Sequence, residues 1–455
     1  MTELRFGTAI RDITPRYPLW AHGYSARNRK SAGVREPLSL GCLAITDGDT
    51  RVLILALDMV GIRADVCDEL YGLLDEETGV GYPHILISGS HTHFAPALHG
   101  TGFTDPEVGI VDRDEAYVDE VKSKMVEAAE EALASMRARR VEIARIQIPQ
   151  VVYNRRTVRK SDAVVEMNLM YPEDPARFNF SPVDSELTVH RLVDEHGVHC
   201  ALLNFGCHPV TGCSPEEDYY KFSADYPYYT RQTIAEKWKC NVLFTLGAAG
   251  DAVPINRRDD CRERIGQLLG NAAILAERTF RGDPSTHLRA EVLEVEAETI
   301  LTTDRSRAEA EYEAARTAVL AAGDSEGGHE NYRELRQVFE EKMRNFGRVR
   351  LYPENRWRIR IQFVQFGRTT LVALPFEVLA EIGLEIKKRF PDSVVISCAG
   401  GYQGYLPLAH EYDRVGYEAT ESSTHFAPGT ADRLLEAILE WCERNPAGRD
   451  LAPDR

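Results

Sequence analysis

Long apolar runs are missing from this sequence. No stretch approaches the roughly 18 uninterrupted apolar residues that a bilayer-spanning helix requires, so no membrane span is expected. An excess of positive charge is missing too. Against 54 Lys and Arg stand 71 Asp and Glu, a net charge of −17. Nucleic acid and anionic membrane surfaces both favour a basic face, so neither is expected as a partner. The opening residues Met1 to Ala9 show no basic region followed by an apolar run, and no secretory signal is read there. The nine cysteines, spread from Cys42 to Cys442, are odd in number and include no CxxC pair. A disulfide framework is therefore not expected, and reduced thiols in a cytoplasmic setting fit better. Several familiar catalytic signatures are absent as well: GK[ST], GxGxxG, GxSxG and HExxH.

What the chain does contain is an ordinary globular balance, with 43% hydrophobic and 27% charged residues. Its 455 residues would suit about three domains or one large one. Short branched apolar runs predict buried strands over Val52 to Leu57, Ile85 to Ser88, Ala201 to Phe205, Val242 to Thr245, Thr370 to Leu374 and Val394 to Ser397. Helical periodicity falls between them, over Glu115 to Arg137, Tyr226 to Lys239, Glu263 to Arg278, Phe376 to Arg389 and Ala431 to Cys442. This alternation predicts an α/β protein, a mixed β-sheet core covered by helices. A charged stretch at about 304–344, rich in Glu and Arg and broken by a glycine-containing segment, reads as a helical excursion from that core. With no internal repeat and no clear linker, residues 1–455 are expected to form one domain.

Five segments concentrate chemistry. In Ser88-Gly89-Ser90-His91-Thr92-His93 a buried strand breaks into a turn, the place where α/β proteins put ligand groups. If the chain stays extended the two histidines share a face. If it turns, one is free to bind a metal while the other faces a substrate. Asn204-Phe205-Gly206-Cys207-His208-Pro209 is a second strand ending in histidine. A lone strand-end histidine is usually a satisfied core residue, but parallel neighbours would deliver two of them to one edge. Leu374-Pro375-Phe376-Glu377 places a carboxylate at a strand–helix junction, where helix-dipole pairing and metal ligation are both reasonable. Gly400-Gly401-Tyr402-Gln403-Gly404-Tyr405, with Tyr412 and Tyr417 beyond it, combines close backbone approach with phenols. Gly247-Ala248-Ala249-Gly250-Asp251 follows a strand but matches no nucleotide-binding pattern.

Taken in order, these segments resemble the catalytic domain of the neutral, non-lysosomal ceramidase family. The resemblance rests on Gly-Thr-Ala-Ile-Arg-Asp-Ile-Thr-Pro near the start, Ser-Gly-Ser-His-Thr-His, Asn-Phe-Gly-Cys-His-Pro, Gly-Asp-Ala-Val-Pro-Ile-Asn, Pro-Phe-Glu, and a Gly-Tyr with Tyr417-Glu418 downstream. It implies a neutral-ceramidase-like fold and a zinc ion held by His91, His208, Glu377 and Tyr405. It further implies His93 as general acid/base, with Arg155 of Asn154-Arg155 and Tyr417 binding the carbonyl oxygen. The family's secreted members carry a further C-terminal β-rich domain, for which no counterpart is expected in this chain. Their Gly-Asp-Val-Ser-Pro-Asn reads Gly250-Asp251-Ala252-Val253-Pro254-Ile255-Asn256 in this chain. These differences bear on substrate recognition more than on metal binding.

The implied chemistry is coherent. Zinc accepts imidazole nitrogen and oxygen ligands and lowers the pKa of water from 15.7 to about 7. A neutral imidazole can take the water proton and pass it to a leaving amine. The expected reaction is zinc-dependent hydrolysis of the amide bond of a small-molecule or N-acyl substrate. An esterase, lactonase or deacetylase would use the same groups, and a non-catalytic binding protein would need only the pocket.

Overall fold

Valine-, isoleucine- and leucine-rich runs fold into three principal sheets, each finishing in one parallel pair. The computed structural model describes residues 3–24, 27, 29–100, 105–108, 113–212, 216–258, 261–300, 304–322, 332–351, 356–414, 416–420 and 423–448. In the first sheet the order is Ile85–Gly89, Arg51–Leu57, Ser39–Thr46, Arg5–Asp12, Arg137–Ala138. The second runs Asn241–Leu246, Gly197–Phe205, Glu186–Asp194, Arg140–Gln147, Arg281–Asp283. The third runs Leu288–Glu298, Arg356–Phe366, Thr369–Ala373, Ser393–Ile396. The parallel pairs are the first two strands named in the first and second sheets and the last two in the third. Parallel neighbours need a crossover, and each has its helix: Ala64–Thr78, Tyr226–Trp238 and Ala380–Arg389.

Strand periodicity explains how the sheets pack. In Arg51–Leu57 every residue after the arginine is buried, because both faces are covered. Ile54 points inward with Phe6 and Leu43, meeting Leu202 and Leu243 of the second sheet and Val364, Leu371 and Val394 of the third. Leu53 and Leu55 point the other way, against Leu70 and Leu74 of the crossover helix and Val121 and Met125 of the helix Glu115–Ala134. The second sheet carries Ile234 and Leu269 on its outer face, and the third carries Ile386 and Ile438. Three helix-backed sheets thus share one inner core.

All six predicted strands form, and the fold is the mixed α/β arrangement expected. The helix expected from Phe376 begins at Ala380 instead, and Glu377–Val378 pairs as a short strand with Tyr405–Leu406. The cap comes from elsewhere in the chain: Asp251 Oδ1 accepts the Ala380 N–H at 2.8 Å. A helix start satisfied from a distant segment leaves no local signature. The charged excursion is a hairpin of Arg305–Ala322 and Tyr332–Leu351. It has its own small core of Tyr312, Phe339 and Phe346, and it docks on Val108 and, through Arg316, on Asp105. Most of its glycine-containing break, 323–331, lies outside the described residues. Among the described residues Cys42, Cys67, Cys200, Cys207, Cys240, Cys398 and Cys442 are free thiols, all but Cys240 buried; Cys213 lies outside the described residues.

Candidate metal centre

The carboxyl ends of the three parallel pairs meet. Gly89 N donates to Cys398 O at 3.1 Å and Gly400 N to Ile87 O at 2.9 Å, joining the first sheet to the third. Ser397 N donates to Leu246 O at 2.9 Å and Gly250 N to Val378 O at 2.7 Å, joining the third to the second. His91 leaves the first sheet here, His208 the second and Glu377 the third. The two histidines are thus brought together by three converging sheets, and not as neighbours in one sheet. Close approach of backbones makes one glycine obligatory: a β-carbon on Gly250 would lie 2.5 Å from Glu377 O.

Three atoms converge at the centre. His91 Nε2 and His208 Nε2 lie 3.1 and 3.0 Å from the same Glu377 oxygen, Oε2. All three side chains are buried. Each of the two imidazoles is turned by a backbone carbonyl on its other nitrogen: Nδ1 of His91 lies 2.6 Å from Val60 O, and Nδ1 of His208 lies 3.1 Å from Ala252 O. With Nδ1–H donating outward, each imidazole in its neutral form turns Nε2 toward Glu377 Oε2 as an available ligand atom for an ion. N–H donation from the other ring nitrogen to a carbonyl is the arrangement that orients metal-ligating histidines. The donor set of two imidazoles and a carboxylate suits zinc.

His91 has φ of +66°, so the chain turns between the paired histidines. The turn still returns His93 to the cluster, its Nε2 3.3 Å from His91 Nε2. The candidate ligand nitrogens of His91, His93 and His208 all lie within 4.8 Å of one another. His93 Nδ1 is buried and has no hydrogen-bond partner.

Electrostatics follow the geometry. Burial opposes charge on Glu377, but His91 and the hydrogen bond from His208 hold its pKa well below the usual carboxylate range. For His91 burial is outweighed by the Glu377 carboxylate and Cys398, and its pKa stands well above normal. Burial takes His208 down to about 4 despite Glu377. Burial, reinforced by the two neighbouring imidazoles, also takes His93 well below its ordinary value, leaving a neutral ring.

Tyr405 occupies the register position beside Glu377, and its buried hydroxyl accepts from Arg155 Nη2 at 3.0 Å. The phenol that touches the carboxylate is a different one: Tyr402 donates to Glu377 Oε1 at 2.5 Å. Arg155 is fixed by Glu418, which accepts from its Nε at 2.8 Å, and by Gly250 O, which accepts from Nη2 at 2.8 Å. The same Glu418 accepts from Arg156 Nη1 at 2.6 Å and is fully buried between the two guanidiniums. Tyr417 is 48% exposed, its ring edge-on to Tyr405 at 5.6 Å and 5.7 Å from the Arg155 guanidinium. Asn154 is tied to Asp251 by a 2.7 Å hydrogen bond, and its strand pairs with Ala252–Pro254. Tyr402 and Glu418 carry no role in the sequence reading. An Arg-Arg pair in an apolar context was the available sign that a buried carboxylate such as Glu418 must exist.

The sequence matches no family model, and no curated protein matches it. Solved structures do. A neutral ceramidase from Pseudomonas aeruginosa shares the fold with a TM-score of 0.71 at 18% identity, covering 100% of this chain and 77% of that one. A structure described as ceramidase complexed with C2 matches with a TM-score of 0.72 at 18% identity, over 100% and 78% of the respective chains. The fold is that of neutral ceramidase.

Proposed function

We propose that this chain is a zinc-dependent hydrolase of an amide bond, acting on a small-molecule or N-acyl substrate in the manner of a ceramidase. The carrying observation is the convergence of His91 Nε2, His208 Nε2 and Glu377 Oε2 from three sheets, with both imidazoles turned by carbonyl hydrogen bonds. The neutral ceramidase fold supports the same reading. His91, His208 and Glu377 would hold the ion, with Tyr405 as the fourth ligand. Bound zinc would supply Lewis acidity, polarising a carbonyl and bringing a water's pKa toward neutrality.

The chain's own groups supply the rest. His93, neutral and with Nε2 3.3 Å from His91 Nε2, would take a proton from water and return it to the departing amine. Arg155 and Tyr417 would receive the oxyanion of the tetrahedral state, where one preorganised donor is worth about 3–4 kcal/mol. Arg155 is suited to this because Glu418 and Gly250 O immobilise it, so no reorganisation is needed when charge develops. Because the ligand-bearing sheets share one core, we read the whole chain as a single catalytic unit. Its free thiols favour a reducing, cytoplasmic location, which several intact disulfides on thiol titration would contradict.

Elemental analysis of the purified protein, followed by hydrolysis assays on matched N-acyl amides and esters, tests the reading. One zinc per chain and amide cleavage that a chelator abolishes and zinc restores are expected. Absence of zinc, or cleavage of esters alone, would overturn it.

A further inference from the structure

The guanidiniums set into the body of this acidic protein are mostly matched by carboxylates: Arg155 and Arg156 by Glu418, Arg262 by Glu36 and Asp218. Arg348, on the helix Tyr332–Leu351, is not. It is half-buried, and its hydrogen bonds run to neutral groups, Nη1 to His425 Nδ1 at 3.1 Å and Nη2 to Asn345 Oδ1 at 2.8 Å. Arg344 stands one turn earlier on the same helix face, exposed. No described carboxylate pairs with either. Burial without a counter-charge brings Arg348 down to about 10 and leaves His425 neutral at about 3. A desolvated cation with no partner costs stability unless something else supplies the negative charge.

Arg348 is linked to the metal centre through His425 and Gly404. A β-carbon on Gly404 would stand 4.0 Å from His425 Nε2, and Gly404 O accepts the Glu377 N–H at 2.9 Å. His22 stands edge-on to His99, their ring centroids 5.1 Å apart. It lies within electrostatic reach of both Arg344 and His91. Gln403 Oε1, one residue before Gly404, and His99 Nδ1, beside His22, are buried without hydrogen-bond partners.

We propose that the substrate carries, apart from its scissile amide, an anionic carboxylate or phosphate group, and that Arg344 and Arg348 receive it. This rests on the amide-hydrolase reading and narrows its substrate class, from any N-acyl amide to one with an oxyanion. The planar guanidinium fork pairs with either oxyanion, and Arg348 still has donors left over from its two neutral partners. An overall net charge of −17 would repel an anion elsewhere on the surface, so local unpaired arginines are what such a substrate needs.

Equilibrium dialysis on metal-free protein separates this from the catalytic reading, because no turnover intervenes. The probes are N-octanoylglycine, N-octanoylethanolamine phosphate and the neutral N-octanoylethanolamine. At least one anionic probe should bind about 10- to 100-fold more tightly than the neutral one, the range for charge-assisted hydrogen bonds. Whichever anion binds more tightly identifies the group. That preference should collapse toward unity in the Arg344→Gln/Arg348→Gln variant; if this variant unfolds, exposed Arg344→Gln is read alone and should reduce it. Equal or absent binding of the anions, or a preference that survives the substitutions, would overturn the inference. Failure of zinc-loaded protein to hydrolyse any probe would instead overturn the amide-hydrolase reading and leave the binding result standing.

Discussion

At the residue scale, the proposed function gives the paired imidazoles His91 and His93 different work, and substitution separates them. His91→Ala removes a nitrogen whose other side is oriented by Val60 O, so zinc content and activity should fall together. His93→Ala should retain zinc and lose roughly 10²–10⁴-fold in rate, the contribution of a general acid–base. Metal analysis alongside kinetics checks this, and loss of zinc from both variants to the same degree would make His93 a ligand. The two phenols divide in a similar way. Tyr405→Phe should weaken zinc binding, whereas Tyr402→Phe removes a hydrogen bond to Glu377 Oε1 and should lower affinity by about 10- to 100-fold, the usual cost of disturbing a ligand's support. Competition titration against a chromogenic chelator measures both. Sequence patterning exposed His91, His208 and Glu377 because each ends a strand. It left Tyr402 without a role, since a tyrosine in a glycine-rich loop looks the same whether it packs or supports a ligand.

Elements are held in register by charge as well as by apolar packing. Glu186, at the start of a strand of the second sheet, accepts from Arg145 at 2.7 Å and from Lys387 of the helix Ala380–Arg389 at 3.2 Å. Burial opposes ionisation of Glu186, but Lys387 and Arg145 outweigh it and hold its pKa below the usual value. A carboxylate with a depressed folded-state pKa contributes stability above its unfolded value, and that contribution is lost as pH falls through the folded one. Glu186→Gln should therefore lower stability at neutral pH, and the difference from wild type should shrink on acidification below about pH 4.3, the unperturbed Glu value. Urea unfolding at a series of pH values measures it; a pH-independent difference would rule the linkage out. The strands were legible as apolar runs of the right length. The start of the helix Ala380–Arg389 was not, because Asp251, which caps it, stands 129 residues earlier.

On the scale of the whole molecule, three helix-backed sheets meet at one core and one centre, so binding there couples all of them. A ligand that binds only the native state adds about 2.7 kcal/mol at a hundredfold excess over its dissociation constant. Chelation should accordingly lower the unfolding midpoint and zinc restore it, while His91→Ala should respond to neither, as differential scanning calorimetry would read. In the shared core, Leu243→Ala should cost about 2–5 kcal/mol, the range for a buried leucine. A smaller loss would mean that the other two sheets collapse onto the gap.

The order of residues along the chain by itself determined that this is an α/β protein and that apolar strand runs lead into His91, His208 and Glu377. Strand length, apolar period and residue type are local properties, and local properties survive in a linear string. Only the tertiary structure decided that the histidines arrive from different sheets, that Tyr402 hydrogen-bonds the Glu377 carboxylate, that Glu418 clamps Arg155, and that no described carboxylate pairs with Arg348. Each of these depends on atoms brought within hydrogen-bonding distance from positions tens to hundreds of residues apart. Such contacts are set by how three separate sheets pack against one core, and no spacing in the sequence records that.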